Sequence, residues 1–210
     1  MRRFSFIILF FITFTALGQP KGYTKLSDVS SFQIELKAVN ASLKSIKSDF
    51  KQIKNLSLLE EKIQSKGDFY YQKQDKVRIE YTEPYQYLMI INNGKMLVKD
   101  EQKTSKINAR SSKMMQSINR IMIDCMQGSV FENPDFEVAA YTNSKNYLLL
   151  LTPTTSTMKK MFNHIEVYMN RKGLDVTKLV MVENGGDFTD MSFFNTKHNI
   201  QLNEALFKVK

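Results

Sequence analysis

The stretch KGDFYYQKQDKVRIEYTEP, from Lys66 to Pro84, decides how the rest of the chain is read. Apolar side chains fall on every second residue, Phe69 and Tyr71 first, then Val77, Ile79 and Tyr81, with Asp68, Lys76, Arg78 and Glu80 between them. Period two is that of a strand with one buried face. The polar triplet Lys73-Gln74-Asp75 supplies a turn and Thr82-Glu83-Pro84 a stop, so the stretch predicts a hairpin. Gly67, inside the first strand, predicts a bulge or a close approach to the backbone.

The same rule works outward in both directions. Leu59 and Ile63 extend the apolar face upstream, and Ile46, Ser48, Phe50 and Gln52 alternate with Lys47, Asp49 and Lys51 as an earlier strand. Before it, Val29, Phe32, Leu36, Val39 and Leu43 are three and four residues apart, a helical stripe with Ser27 or Asp28 as its N-cap. Downstream, YQYLMII places Met89 and Ile91 with the inward set, and Asn93-Gly94 predicts a type I′ hairpin into MLVK. FEVAAY, YLLLLTP, HIEVYMN, LDVTKLVMVE, DFTDMSFFN and the terminal LFKVK follow, separated by turn residues. About ten strands with two helices and short connections predict one antiparallel, strongly curled sheet.

Against that background MMQSINRIMIDCMQG, Met114 to Gly128, has helical spacing. Met115, Ile118, Met122 and Cys125 form its apolar stripe, and Gly128 suits a C′ residue. Methionine repacks readily around varied apolar partners, so this helix reads as an adaptable cover for the concave face.

The first residues belong to a different class. Arg2 and Arg3 precede the apolar run Phe4 to Leu17, and Ala16-Leu17-Gly18 fits a small-residue cleavage site. We read residues 1–18 as a cleavable signal peptide and residues 19–210 as one domain, exported to the periplasm. Position 19 is Gln, which cannot carry the lipid of an N-terminal lipidated cysteine. One cysteine, Cys125, forms no disulfide framework, and a lone thiol in an oxidising compartment is best buried. The two histidines, His164 and His198, have no metal-ligand spacing, so no metal site and no cofactor are expected. The formal net charge of +9 falls to +7 once Arg2 and Arg3 are removed, and the lysines scatter along strands as a solvated face. Nucleic acid is not expected as a partner. No P-loop, nucleophile elbow or dinucleotide turn occurs, and the adjacent acids Glu60 and Glu61 would point to opposite faces of a strand. No catalytic residue is assigned.

The order of these segments resembles the periplasmic lipoprotein carriers of Gram-negative bacteria, the LolA-like family. SIKSDFKQ (Ser45 to Gln52) is similar to the family's first long strand, and KGDFYYQKQDKVRIEYTEP to its next hairpin with a turn proline. The NGK hairpin (Asn93 to Lys95), LLTPTTSTMKKMF (Leu150 to Phe162), the RKG turn and the final LFKV complete the resemblance over most of the mature chain. It implies an incomplete, half-open antiparallel β-barrel of about ten to eleven strands with an α-helical lid over a hydrophobic cavity. Acylated lipoproteins would be the cargo, an inner-membrane ABC lipoprotein-release transporter the donor and, where one exists, an outer-membrane receptor the acceptor. The carrier would act as a monomer and would not be an enzyme. Joined to the alternation, the resemblance assigns the cavity to Ile46, Phe50, Ile63, Phe69, Tyr71, Val77, Ile79, Tyr81, Met89, Ile91, Met115, Ile118 and Met122. The family's turn arginine, which latches the lid, matches Lys73, a donor without the planar guanidinium fork. Its strand tryptophan matches Ile79, and the chain has no Trp. Two other readings compete: a lipid- or glycolipid-binding protein or lipoprotein sensor of the same fold, and an exported hydrolase with an unrecognised site.

Overall fold

The computed structural model describes residues 19–59, 61–108 and 113–209, with side-chain surroundings for all of these except 59 and 106–119. The signal-peptide reading of residues 1–18 lies outside the described residues. Twelve strands form one antiparallel sheet: β1 (Thr24–Lys25), β2 (Ser45–Leu56), β3 (Glu61–Gln72), β4 (Lys76–Glu83), β5 (Tyr87–Asn92), β6 (Lys95–Lys99), β7 (Thr104–Asn108), β8 (Phe136–Thr142), β9 (Asn146–Pro153), β10 (Phe162–Asn170), β11 (Val176–Glu183) and β12 (Phe188–His198). Their spatial order is β1-β8-β9-β10-β11-β12-β2-β3-β4-β5-β6-β7. β1 and β7 stand at opposite ends without pairing to each other, so the sheet is curled and open.

The strand count departs from the expectation at three places. β1 is two residues long, too short to show a period, and is held through the Leu26 N–H to the Ala140 carbonyl at 2.9 Å. β7, TSKIN, shows little apolar alternation because it is an edge paired only with β6. Residues 206–209 of the terminal LFKVK do not form a strand. Glu204–Phe207 forms a 3-10 turn capped by Asn203, whose Oδ1 accepts from the Ala205 N–H at 2.9 Å. This turn is strapped to the outer face of the sheet: the Arg78 guanidinium donates to the Leu206 carbonyl at 3.1 Å and the Asn92 amide to the Phe207 carbonyl at 3.0 Å. Phe207 is fully buried, as are the outward residues Ile90 and Leu97, so the lysine-bearing face does not meet water everywhere.

Three helices cover the concave face: α1 (Val29–Ala41), α2 (Lys113–Gln127) and the short α3 (Ser156–Met161). Asp28 caps α1, its carboxylate accepting from the Ser31 N–H at 2.9 Å; this leaves Asp28 with a lowered pKa. Phe32 and Leu36 turn inward from α1, Ile121, Met122, Cys125 and Met126 from α2, and Met158 from α3, all into one core with the sheet. Gly128 ends α2 at φ +73°, and a Cβ there would lie 2.9 Å from the Leu36 carbonyl oxygen. The two long helices meet at that glycine.

Candidate binding cavity

Strand register brings the opening hairpin and its neighbours into rungs on the concave face. Ile46, Tyr71, Val77 and Ile91 are paired across β2, β3, β4 and β5. Ser48, Phe69, Ile79 and Met89 make the next rung, and Phe50, Gly67, Tyr81 and Tyr87 the third. Each rung is two residues along from the last, as the alternation requires. Gly67 is needed where it sits. A Cβ would fall 1.9 Å from the Glu80 carbonyl oxygen and 2.9 Å from Phe50 Cε1, and the β3–β4 register shifts at this point. The Phe50 ring lies against that gap and meets Tyr81 edge-on at 5.0 Å, which in turn meets Tyr87 at 5.6 Å. Burial pushes the Tyr81 phenol up to about 12, and its hydroxyl donates to Gln52 at 2.9 Å.

Above part of this face is a cavity of about 640 Å³, bounded by the end of α1, α2, and strands β2, β3, β10, β11 and β12. Of the residues assigned to it from sequence, Ile46, Phe69 and Met122 line it. Phe50, Tyr71, Val77, Ile79, Met89 and Ile91 share the face but are packed into the core beside the cavity, and Tyr81 belongs to a separate small notch with Pro84, Tyr85 and Tyr87. Ile63 has the predicted parity but is 37% exposed. Met115 and Ile118 lie on α2, and their side chains are outside the described residues. Sequence reasoning did not assign Leu43, Ile121, Met126, Val167, Leu179 or Phe193 to the cavity, and they form much of its apolar wall. The alternation of β11 and β12 carried that signal, but nothing in it told which parity faced inward.

The turn between β3 and β4 touches both long helices. Lys73 donates from Nζ to the Ala41 carbonyl at the end of α1 at 3.4 Å, and from its backbone N–H to the Lys44 carbonyl at 2.8 Å. Gln127, the last residue of α2, donates to the Asp75 carboxylate at 3.0 Å and lies 3.5 Å from the Tyr71 hydroxyl. Gln74 and Asp75 both have positive φ, 77° and 58°, which makes the turn tight enough to present these groups.

Asp124 ties the end of α2 down from the other side. Its carboxylate accepts from Asn133 at 2.6 Å, Arg120 at 2.8 Å and Ser129 at 3.1 Å, yet burial still raises its pKa. Cys125 is 2% exposed, and burial first, then the neighbouring Asp124 charge, push its thiol well up. A neutral, buried thiol packs as an apolar group. Among the described residues no three His, Cys, Asp or Glu side chains converge as a metal site, and no helix is long and apolar enough to cross a membrane.

An open curled sheet with helices over a largely apolar hollow on its concave side has the shape of a binding site for an apolar ligand. The family described as outer membrane lipoprotein carrier protein LolA matches residues 41–210, and this chain belongs to that family. An outer-membrane lipoprotein carrier protein of Methylococcus capsulatus is 26% identical over 183 residues, which cover 84% of this chain and 82% of that protein. Two solved structures share the fold at low identity. An uncharacterized conserved protein from Thermus thermophilus aligns with a TM-score of 0.51 at 10% identity, over 85% of this chain and 92% of that one. The Pseudomonas aeruginosa MucA/MucB complex aligns with a TM-score of 0.50 at 11% identity, over 86% of this chain and 60% of that one.

Proposed function

We propose that this protein is a periplasmic carrier that takes acylated lipoproteins from an inner-membrane ABC transporter, shields their acyl chains in the cavity, and delivers them to the outer membrane. It is exported through a cleavable signal at residues 1–18 and works as a single-domain monomer over residues 19–210, without cofactor or catalytic group. The observation that carries the reading is the largely apolar cavity between the concave face and two helices that pack into the same core and are tied to the β3–β4 turn by Lys73 and Asp75.

The energetics say why shielding is needed. At ~0.8 kcal/mol per buried CH₂, an acyl chain of about 14 methylenes carries roughly 10 kcal/mol of aversion to water. A lipoprotein with several chains does not cross an aqueous space unaided. Release is built into the same arrangement: Met122, Cys125 and Met126 return to the sheet when cargo leaves, so the helix competes with the ligand and keeps net affinity moderate. At about 30 Å³ per water- or methylene-sized group, the closed cavity admits roughly 20 such groups, about one chain. Larger cargo requires α1 and α2 to move outward.

The test is extraction. Purified protein is incubated with a lipoprotein-loaded inner-membrane fraction beside an established carrier, and soluble lipoprotein is scored by pull-down. Soluble complex supports the proposal; failure to extract where the established carrier succeeds sinks it.

A further inference from the structure

Charge is divided unevenly between the two ends of the sheet. Strand direction alternates, so the α1–β2, β3–β4, β5–β6, β8–β9 and β10–β11 connections and the last residues of β12 lie at one end, where Ser45 pairs with Gln72, Asn146 with Asn170 and Ile46 with His198. The exposed residues Ser42, His198 and Asn199, which line the cavity, put its entrance at this same end. Lys44, Lys73 and Lys95 stand at the first three connections, Lys145, Arg171 and Lys172 at the next two, and Lys197 on β12, and all seven are exposed. Among the described residues no carboxylate lies within 4.0 Å of any of these cations. Three carboxylates share the end with them: Asp75, which accepts from Gln127, Asp175, which meets His198, and the exposed Glu35 of α1. Counted as fully charged, they still leave a surplus of four positive charges. The segment before α1, with Lys21 and Lys25 against Asp28, does not reverse it, and Lys76 is matched by Glu204 at 2.7 Å. At the opposite end Asp100, Glu101, Asp135 and Asp187 offset Lys103, Lys159 and Lys160. The basic excess therefore rings the cavity entrance.

The helix beside that ring adds apolar surface. Ile34 of α1 is 70% exposed, and Ala38 and Ala41, one and two turns on along the same face, are exposed as well. The Ala41 carbonyl accepts from Lys73, so this face runs into the cationic turns. One exposed isoleucine is ordinary on a protein surface. Beside an unpaired basic ring it gives the combination that holds a protein on an anionic bilayer: cations for the lipid phosphates and an apolar side chain for the headgroup layer. Six of the seven cations are lysines, point charges without the planar fork that matches an oriented carboxylate. They suit a fluid array of phosphates better than the fixed acids of a protein partner. We propose that this end of the molecule docks on an anionic phospholipid bilayer, with the cavity entrance turned toward the membrane. The inference holds whatever the cavity takes up.

Docking is measured by flotation of the mature protein, without cargo, on vesicles of phosphatidylcholine alone and of phosphatidylcholine with phosphatidylglycerol in equal parts. The protein should float with the anionic vesicles, stay behind with the neutral ones, and detach as salt is raised. A cation close to an anionic surface strengthens binding about fivefold, so Lys95→Gln, Lys145→Gln and Lys197→Gln combined should weaken partitioning about 100-fold. Lys103→Gln, Lys159→Gln and Lys160→Gln combined remove the same charge at the opposite end and should change it by no more than about twofold. Ile34→Ser should cost about tenfold. The six lysines are exposed, so both triple variants should melt as the wild type does, and the salt titration tests the charge dependence without any variant. Equal loss in the two triple variants, binding to neutral vesicles that salt does not weaken, or no binding to anionic vesicles at low salt overturns the inference. Capture of a soluble acidic protein by this end, with no vesicle binding, makes the partner a protein and overturns it too. Extraction of lipoprotein is scored separately: its failure refutes carriage and leaves docking standing.

Discussion

Met122→Glu puts a carboxyl group where α2 faces the cavity, at a position only 5% exposed. The contrast with Asp124 sets the expectation. Asp124 has three donors and is still pushed up by burial, whereas Met122 is a core residue that lines the cavity together with Cys125, Met126, Ile46 and Phe69. With no donor, desolvation should raise the new carboxyl by about 3 to 4 units from an ordinary value of about 4.3. A raised pKa in the docked state means that the docked state binds the proton more tightly, so its penalty is full above the raised pKa and fades as pH falls toward the ordinary one. Taking the docked value as about 8, the penalty is about 3.7 kcal/mol at pH 7 and about 1 kcal/mol at pH 5. The helix should undock before the sheet unfolds, because it joins the sheet through side chains and not through the backbone ladder that holds the strands together. Hydrogen exchange of the α2 amides, corrected for intrinsic rate, should accelerate about 500-fold at pH 7 and only about sixfold at pH 5. Met122→Gln measures the pH-independent packing loss. Wild-type protection at pH 7, or the same acceleration at both pH values, would refute the placement of Met122 against the sheet.

Other variants test the rest of the arrangement. Ile79→Glu, in the packed core beside the cavity, should lower the melting temperature sharply, while Lys51→Glu on the exposed face should leave loading and melting unchanged. Lys73→Ala removes an exposed 3.4 Å contact that holds the end of α1 in the empty form and should cost that form no more than about 1 kcal/mol, read as an up to fivefold tighter binding of cargo that displaces the helices. Lys73→Arg should weaken that binding, since a guanidinium fork holds the closed helices more firmly than a single ammonium does. Gly67→Ala forces backbone apart at the Glu80 carbonyl and should lower denaturant stability by more than about 3 kcal/mol, well beyond a helix-propensity effect.

The β-rich part of the fold was legible because alternation is a local property, and each buried face writes it directly into the chain. The three rungs through β2 to β5 follow from that pattern plus one tight turn at Lys73 to Asp75. Asp28 as N-cap, Gly128 as helix stop and Gly67 as a close approach were legible for the same reason: each answers a local steric or hydrogen-bonding demand. The cavity was only partly legible. Phe50 and Val77 have the same parity as Phe69, but whether a side chain lines a hollow or packs into the core depends on where the helices lie above it, and no local pattern encodes that. The strapping of Phe207 across the outer face was hidden likewise. LFKV alternates well enough for a strand, and only the Arg78 and Asn92 donors that take its carbonyls make a 3-10 turn the better solution. Lys73 was placed by resemblance as a latch on the lid, and its Nζ reaches the end of α1, while Gln127 ties α2 to the same turn.

Carriage by the cavity is tested most directly by photocrosslinking. Benzoylphenylalanine is placed at Phe69, in the cavity, and at Lys51, on the exposed face, and each protein is incubated with a lipoprotein bearing radiolabelled acyl chains, then irradiated. Label is expected on the chain from position 69 and none from position 51. Equal labelling from both positions, or labelling from position 51 alone, would contradict it.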